Sequence, residues 1–132
     1  MNKRAKIKVL NIYQKKIKTS RKTISDLIDT MVPDMYEFTT EYIGTNIIDE
    51  IKKLCPQIVF LWQCKSEYML DLIKKIKEID PLIAIFVFVP DSVDNEQELI
   101  DEYMSAGAYK CLFSTISFDS LIHDMYVALN LE

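Results

Sequence analysis

Ile47-Ile-Asp-Glu-Ile51-Lys-Lys-Leu54-Cys-Pro56-Gln-Ile58-Val-Phe-Leu-Trp62 carries two different hydrophobic periods side by side. In its first half Ile47, Ile48, Ile51 and Leu54 recur at the spacing that collects side chains on one face of a helix, with charged residues between them. The spacing predicts a helix over about 46–54. Pro56 lacks a backbone N–H and stops it. In the second half the alternation disappears. Ile58 to Trp62 is apolar at every position, as expected of a strand covered on both faces, and such strands belong to parallel sheets. An amphipathic helix joined by three residues to a fully buried strand is the repeating element of an α/β domain.

The same alternation extends outward in both directions. Upstream, Lys6 to Ile12 reads as a strand. Ile24, Leu27, Ile28 and Met31 place a helix over about 20–30, ended by Pro33, and Tyr36 to Tyr42 is a strand rich in Thr, Tyr and Phe. Downstream, Ser66 can cap a helix with the stripe Met69, Leu72, Ile73, Ile76 and Ile79. Leu82 to Val89 is another buried strand, and a helix follows that ends at Ala106-Gly107. Tyr109 to Phe113 is the last strand, and Ser117 caps a final helix with Leu121, Ile122, Met125 and Leu129 inward. Five strand–helix units predict a three-layer fold with a five-stranded parallel sheet, and right-handed crossovers favour the flavodoxin-like order 2-1-3-4-5. One domain over residues 1–132 is expected, with no effector domain after the final helix.

Composition excludes several classes of function. No apolar run is long enough to span a bilayer and no signal core follows the N-terminus, so a cytoplasmic chain is expected. The three cysteines, Cys55, Cys64 and Cys111, are scattered and read as free, mostly buried thiols. With His123 as the single histidine, no zinc site is expected, and no cofactor motif is present. His123 reads as a surface or boundary residue. Net charge is −4, but the first 22 residues carry nine basic and no acidic side chains, while the rest carry seven basic and twenty acidic ones. The basic segment 3–22 suits an edge strand that resists aggregation better than it suits nucleic-acid binding.

Three passages resemble the receiver domain of two-component response regulators. Ile51-Lys-Lys-Leu-Cys-Pro-Gln-Ile-Val-Phe-Leu61 is similar to its passage from helix 2 into strand 3. Lys74-Lys-Ile-Lys-Glu-Ile-Asp-Pro81 is similar to the end of its helix 3, and Ala106-Gly-Ala108 to its entry into strand 5. The likeness covers nearly the whole chain. It implies a site at the carboxyl ends of the strands, where an acidic pair and an aspartate hold Mg²⁺, the aspartate takes a phosphoryl group, and a hydroxyl and a lysine contact the phosphate. Matched position by position, this sequence departs from that set throughout. The acidic pair falls on Asn11 and Ile12, the phosphoacceptor on Trp62, the hydroxyl on Val89 and the lysine on Ser114. The resemblance therefore implies a pseudo-receiver: a non-enzymatic signalling module, not phosphorylated, acting through protein–protein contacts.

Trp62 is expected to fill the degenerate pocket, buried or half-buried; the competing reading makes it an exposed anchor for a partner. The family's usual output and dimer face would present Tyr103, Met104, Tyr109, Phe118 and Tyr126 here, to a signalling partner or a second copy. The alternative of a different class is a flavodoxin-like domain binding a small ligand or nucleotide in a pocket bounded by Asn11, Thr19, Ser20 and Ser114.

Overall fold

A computed structural model describes residues 6–13, 28, 30–32, 35–42, 46–62, 66–89, 96–113 and 117–129. Nine elements follow in order: β1 (Ile7–Tyr13), β2 (Tyr36–Tyr42), α1 (Ile47–Leu54), β3 (Ile58–Trp62), α2 (Ser66–Ile79), β4 (Ala84–Val89), α3 (Glu96–Ala106), β5 (Lys110–Phe113) and α4 (Phe118–Ala128). All strand pairs are parallel and the order is β2-β1-β3-β4-β5, as the alternating pattern predicts. The helix expected over 20–30 lies mostly outside the described residues. Within it, positions 28, 30 and 31 are helical, and Ile28 is fully buried.

Alternation along each strand divides the core into two layers. Leu10, Ile12, Val59, Leu61, Ile85, Val87 and Val89 face α1, α2 and α3. Val9, Ile58, Phe60, Ala84, Phe86, Phe88 and Leu112 face α4 and Ile28. The central strands β3 and β4 are buried on both faces, which explains why their sequences show no alternation. α1 inserts Ile47 and Ile51 and stops where Cys55 takes the left-handed conformation (φ 49°), its N–H donating to the Ile51 carbonyl at 2.9 Å. α4 starts on Ser117, whose Oγ accepts from the Ser120 N–H at 3.2 Å.

Three sequence expectations need correction. Leu82 does not enter the strand: it is 85 % exposed. Its N–H donates to the Asp80 side chain and that of Ile83 to the Asp80 carbonyl, and this turn throws Leu82 outward before the sheet begins at Ala84. Met31 is exposed, because it is the last helical residue before the chain turns toward β2. Cys55 is exposed rather than buried, a consequence of its place at the helix end. Cys111 is half-buried, and Cys64 lies outside the described residues.

At the opposite end of the sheet from the candidate site, Lys77 ties three segments together. Its ammonium donates to the carbonyls of Pro81 (2.9 Å) and Ile83 (2.6 Å) while its stem lies under Gly107. Burial lowers its pKa, partly offset by Asp80. Gly107 has φ 123°, and a Cβ there would lie 2.9 Å from Lys77 Cγ. Both facts require glycine at the turn from α3 toward β5.

Candidate functional site at the carboxyl ends of the strands

In an open parallel sheet the ends of the central strands are where ligands and reactive groups gather, because helices cover the faces and loops leave the ends accessible. Here Tyr13 ends β1, Trp62 ends β3 and Phe88 is the penultimate residue of β4. Register places Phe60 beside Asn11 and Phe88 beside Trp62, so Asn11, Trp62 and Phe88 share one face, and Tyr13, two residues after Asn11, joins them.

The three rings form a stack. Trp62 lies 4.0 Å from Phe88 (centroid to centroid, planes 9° apart) and 5.4 Å from Tyr13 (planes 10° apart). Phe60 meets Phe88 edge-on at 5.3 Å, which anchors the stack to the layer beneath. Trp62 is half-buried, whereas Tyr13 and Phe88 are buried. Its indole N–H donates to Asn11 Oδ1 at 3.2 Å. Asn11 is the one fully buried polar residue among those described, so this bond answers an acceptor that would otherwise be costly to bury.

The arrangement brings together only two of the five positions singled out in the sequence, Asn11 and Trp62. Ile12 and Val89 are buried in the other layer, against α1, α2 and α3. Ser114 lies outside the described residues, as do Thr19, Ser20 and the carboxylates Asp91 and Asp94. Tyr13 and Phe88 as stacking partners were not singled out in the sequence. The available signal was the period of two from Asn11 and from Phe86, which depends on knowing where β1 ends.

An indole offers a donor and a π-face, and an amide offers one neutral acceptor. Neither accepts a phosphoryl group, and Mg²⁺ takes carboxylate oxygens. Among the described residues no cluster of His, Cys, Asp or Glu could hold a metal ion. Cys111, half-buried and beside Val87 in register, has its thiol pushed up to about 11 by burial, so it is protonated at neutral pH.

The second candidate surface flanks the edge strand β5. Met104 and Tyr109 are 43 % and 38 % exposed, and Tyr109 stacks on the buried Phe86 at 5.4 Å. Tyr126 does not join this surface: it is half-buried and its hydroxyl donates to Met35 Sδ at 3.0 Å, just ahead of β2, which is the opposite edge of the sheet from β5. Lys110 and Asp124 bridge β5 to α4 at 2.9 Å. Tyr103 is not part of this surface: it is 5 % exposed, because its position on α3 points into the core beside Ile73 and Val87. Phe118 opens α4, but its side chain lies outside the described part of the structure. His123 is exposed on α4, in keeping with a surface role.

No protein-family model and no curated protein matches the chain. Solved structures do, as folds. The receiver domain of NtrX from Brucella abortus superposes with a TM-score of 0.67 at 19 % identity, covering 94 % of this chain and 99 % of that one. A response regulator from Thermotoga maritima gives 0.68 at 18 %, covering 96 % and 99 %. NtrX in complex with ADP gives 0.70 at 19 %, and there the present chain spans only 28 % of the other's length. The fold is thus that of response-regulator receiver domains. No helix among the described residues is long and apolar enough to cross a membrane.

Proposed function

We propose that this chain is a pseudo-receiver: a cytoplasmic, non-enzymatic signalling module that keeps the receiver scaffold, is not phosphorylated, and works by binding protein partners. One observation carries the reading. Trp62 stands where the phosphoacceptor aspartate falls by resemblance, and it is held there between Tyr13 and Phe88 with its N–H on Asn11. The ring occupies the space in which a receiver arranges metal and phosphate, and it offers no oxygen to either. What remains for function is surface. The exposed Met104 and Tyr109 give the edge around β5 the aromatic and methionine character that interfaces favour. Partner binding there, by another signalling protein or by a second copy, is the activity we assign.

The test is direct. Incubation with acetyl phosphate and Mg²⁺ leaves the mass of the protein unchanged, and beryllofluoride does not bind. A stoichiometric mass gain removed by hydroxylamine reveals an acyl phosphate on a carboxylate and ends this reading.

A further inference from the structure

The groove between α2 and α3 has no role in the pseudo-receiver reading, and its chemistry is unusual. It encloses about 360 Å³, with Leu70 and Ala106 as an apolar floor and Lys74, Asp101, Glu102 and Ser105 along its sides. Leu70 and Ala106 are only half-buried. α3 carries Glu96, Glu98, Asp101 and Glu102 and no basic residue. Acids in its first turn suit the positive end of a helix, but Asp101 stands at its middle and Glu102 just past it, where the dipole offers them nothing. Glu98 and Glu102 stand four residues apart, a spacing at which like charges repel. Neither they nor Asp101 join an ion pair among the described residues; Asp101 accepts only from the neutral Gln97 amide at 2.9 Å. The stripe therefore works against its own helix.

We propose that this groove docks a cationic amphipathic helix of a partner protein. An apolar side chain of that helix would settle on Leu70 and Ala106 while its lysines or arginines meet Asp101 and Glu102. Charge complementarity argues for this occupant: α3 carries four acids and no base, Asp101 and Glu102 outnumber Lys74 along the groove, and residues 23–132 as a whole carry twenty acids against seven bases. The groove lies on the side of the sheet that holds α1, α2 and α3, so this surface is distinct from the one around β5 and does not depend on it.

The experiment titrates a short helical peptide, with two leucines one turn apart flanked by lysines and arginines, into the full chain. Amide shifts are followed by NMR and affinity by calorimetry. Saturable binding is expected, with shifts centred on Leu70, Lys74, Asp101, Glu102 and Ser105, and affinity falling about tenfold or more between low and physiological salt. The double variant Asp101→Asn, Glu102→Gln is expected to lose about tenfold or more in affinity with unchanged circular dichroism and a melting temperature equal to or above the parent's, since it relieves repulsion on α3. A peptide with its cations replaced by glutamates is expected not to bind. Absence of binding, equal binding by the double variant, or shifts centred on Tyr109, Lys110 and Asp124 overturns the proposal. So does salt-sensitive self-association that shifts the same groove residues before peptide is added, since the occupant is then a second copy.

Discussion

Replacing Trp62 by aspartate puts the phosphoacceptor's residue type back where the ring now sits, and it tests the account of the site in two ways at once. Two stacked contacts and the bond to Asn11 are lost. Because the indole is half-buried, removing it costs about 3 kcal/mol, the low end for a large aromatic. The new carboxylate faces Phe88 and the buried Asn11 amide. Asn11 can turn its NH₂ group toward it, so desolvation adds about 1 kcal/mol rather than several. The sum, about 4 kcal/mol, lowers the melting temperature by roughly 10–20 °C for a domain of this size. Thermal denaturation followed by far-UV circular dichroism at neutral pH measures it. On the same reasoning the variant remains unphosphorylated by acetyl phosphate, since Asn11 and Ile12 still supply no carboxylate for Mg²⁺. If Trp62→Asp melts within about a degree of the parent, the ring contributes nothing and the site is open to water, contrary to the stacked geometry.

Two further predictions concern stability. Tyr36 is 2 % exposed and its hydroxyl has no hydrogen-bond partner among the described residues; burial, with a smaller effect from Tyr126, pushes its pKa up to about 12. The unfolded phenol ionises near its ordinary value of 10.0 while the native one stays protonated, so stability falls by roughly 2–3 kcal/mol as pH rises from about 10 to about 12. Tyr36→Phe removes that part of the alkaline loss and adds about 1 kcal/mol at neutral pH by deleting an unsatisfied polar group. Urea unfolding of both proteins across this pH range checks it, and parallel pH profiles count against it. Gly107→Ala forces a side chain into a positive-φ turn and against Lys77 Cγ, and it is expected to destabilise by about 1–3 kcal/mol in the same assay. A neutral result refutes the packing of Lys77 beneath that turn.

The fold was legible because its signals are long and mutually consistent. The stripe on α2, the uninterrupted apolar runs of β3 and β4 and the cap at Ser117 all survive in the structure. Errors fell at element ends, where one residue changes everything. Leu82 continues the hydrophobic run but belongs to a turn made by Asp80. Tyr103, three residues before the end of α3, falls on the family's usual output face by resemblance, yet helical phase points it into the core. The site was half legible. Position-by-position matching located Asn11 and Trp62, but a sequence does not state ring orientation. The Tyr13–Trp62–Phe88 stack arises from register between three strands that are distant in the chain, and no local pattern encodes it. Matching also put the second residue of the family's acidic pair on Ile12, and the structure adds that Asn11 and Ile12, adjacent on β1, face opposite layers.

The stack also bears on whether such a scaffold could still switch. A receiver's response is an equilibrium between two arrangements of the strand ends, biased by one ligand. In this chain the ends of β1, β3 and β4 are joined by two ring contacts of about 0.5–1.5 kcal/mol each and by a hydrogen bond of about 1 kcal/mol. Releasing Trp62 then costs roughly 2–4 kcal/mol, which holds the released arrangement at a few per cent to about a tenth of a per cent. A ligand could invert that population only by preferring the released state by a comparable free energy or more. The described residues of the stack offer no carboxylate or cation to such a ligand: the Asn11 amide and the Trp62 indole N–H are bonded to each other, and the rest is the Tyr13 phenol and hydrocarbon. On the next strand Cys111, beside Val87 in register, is half-buried and protonated at neutral pH, too small to reach the stack. On the pseudo-receiver reading proposed above, the strand ends stay in one arrangement, and control of a module built this way passes to its abundance and to competition among the partners that meet its surfaces.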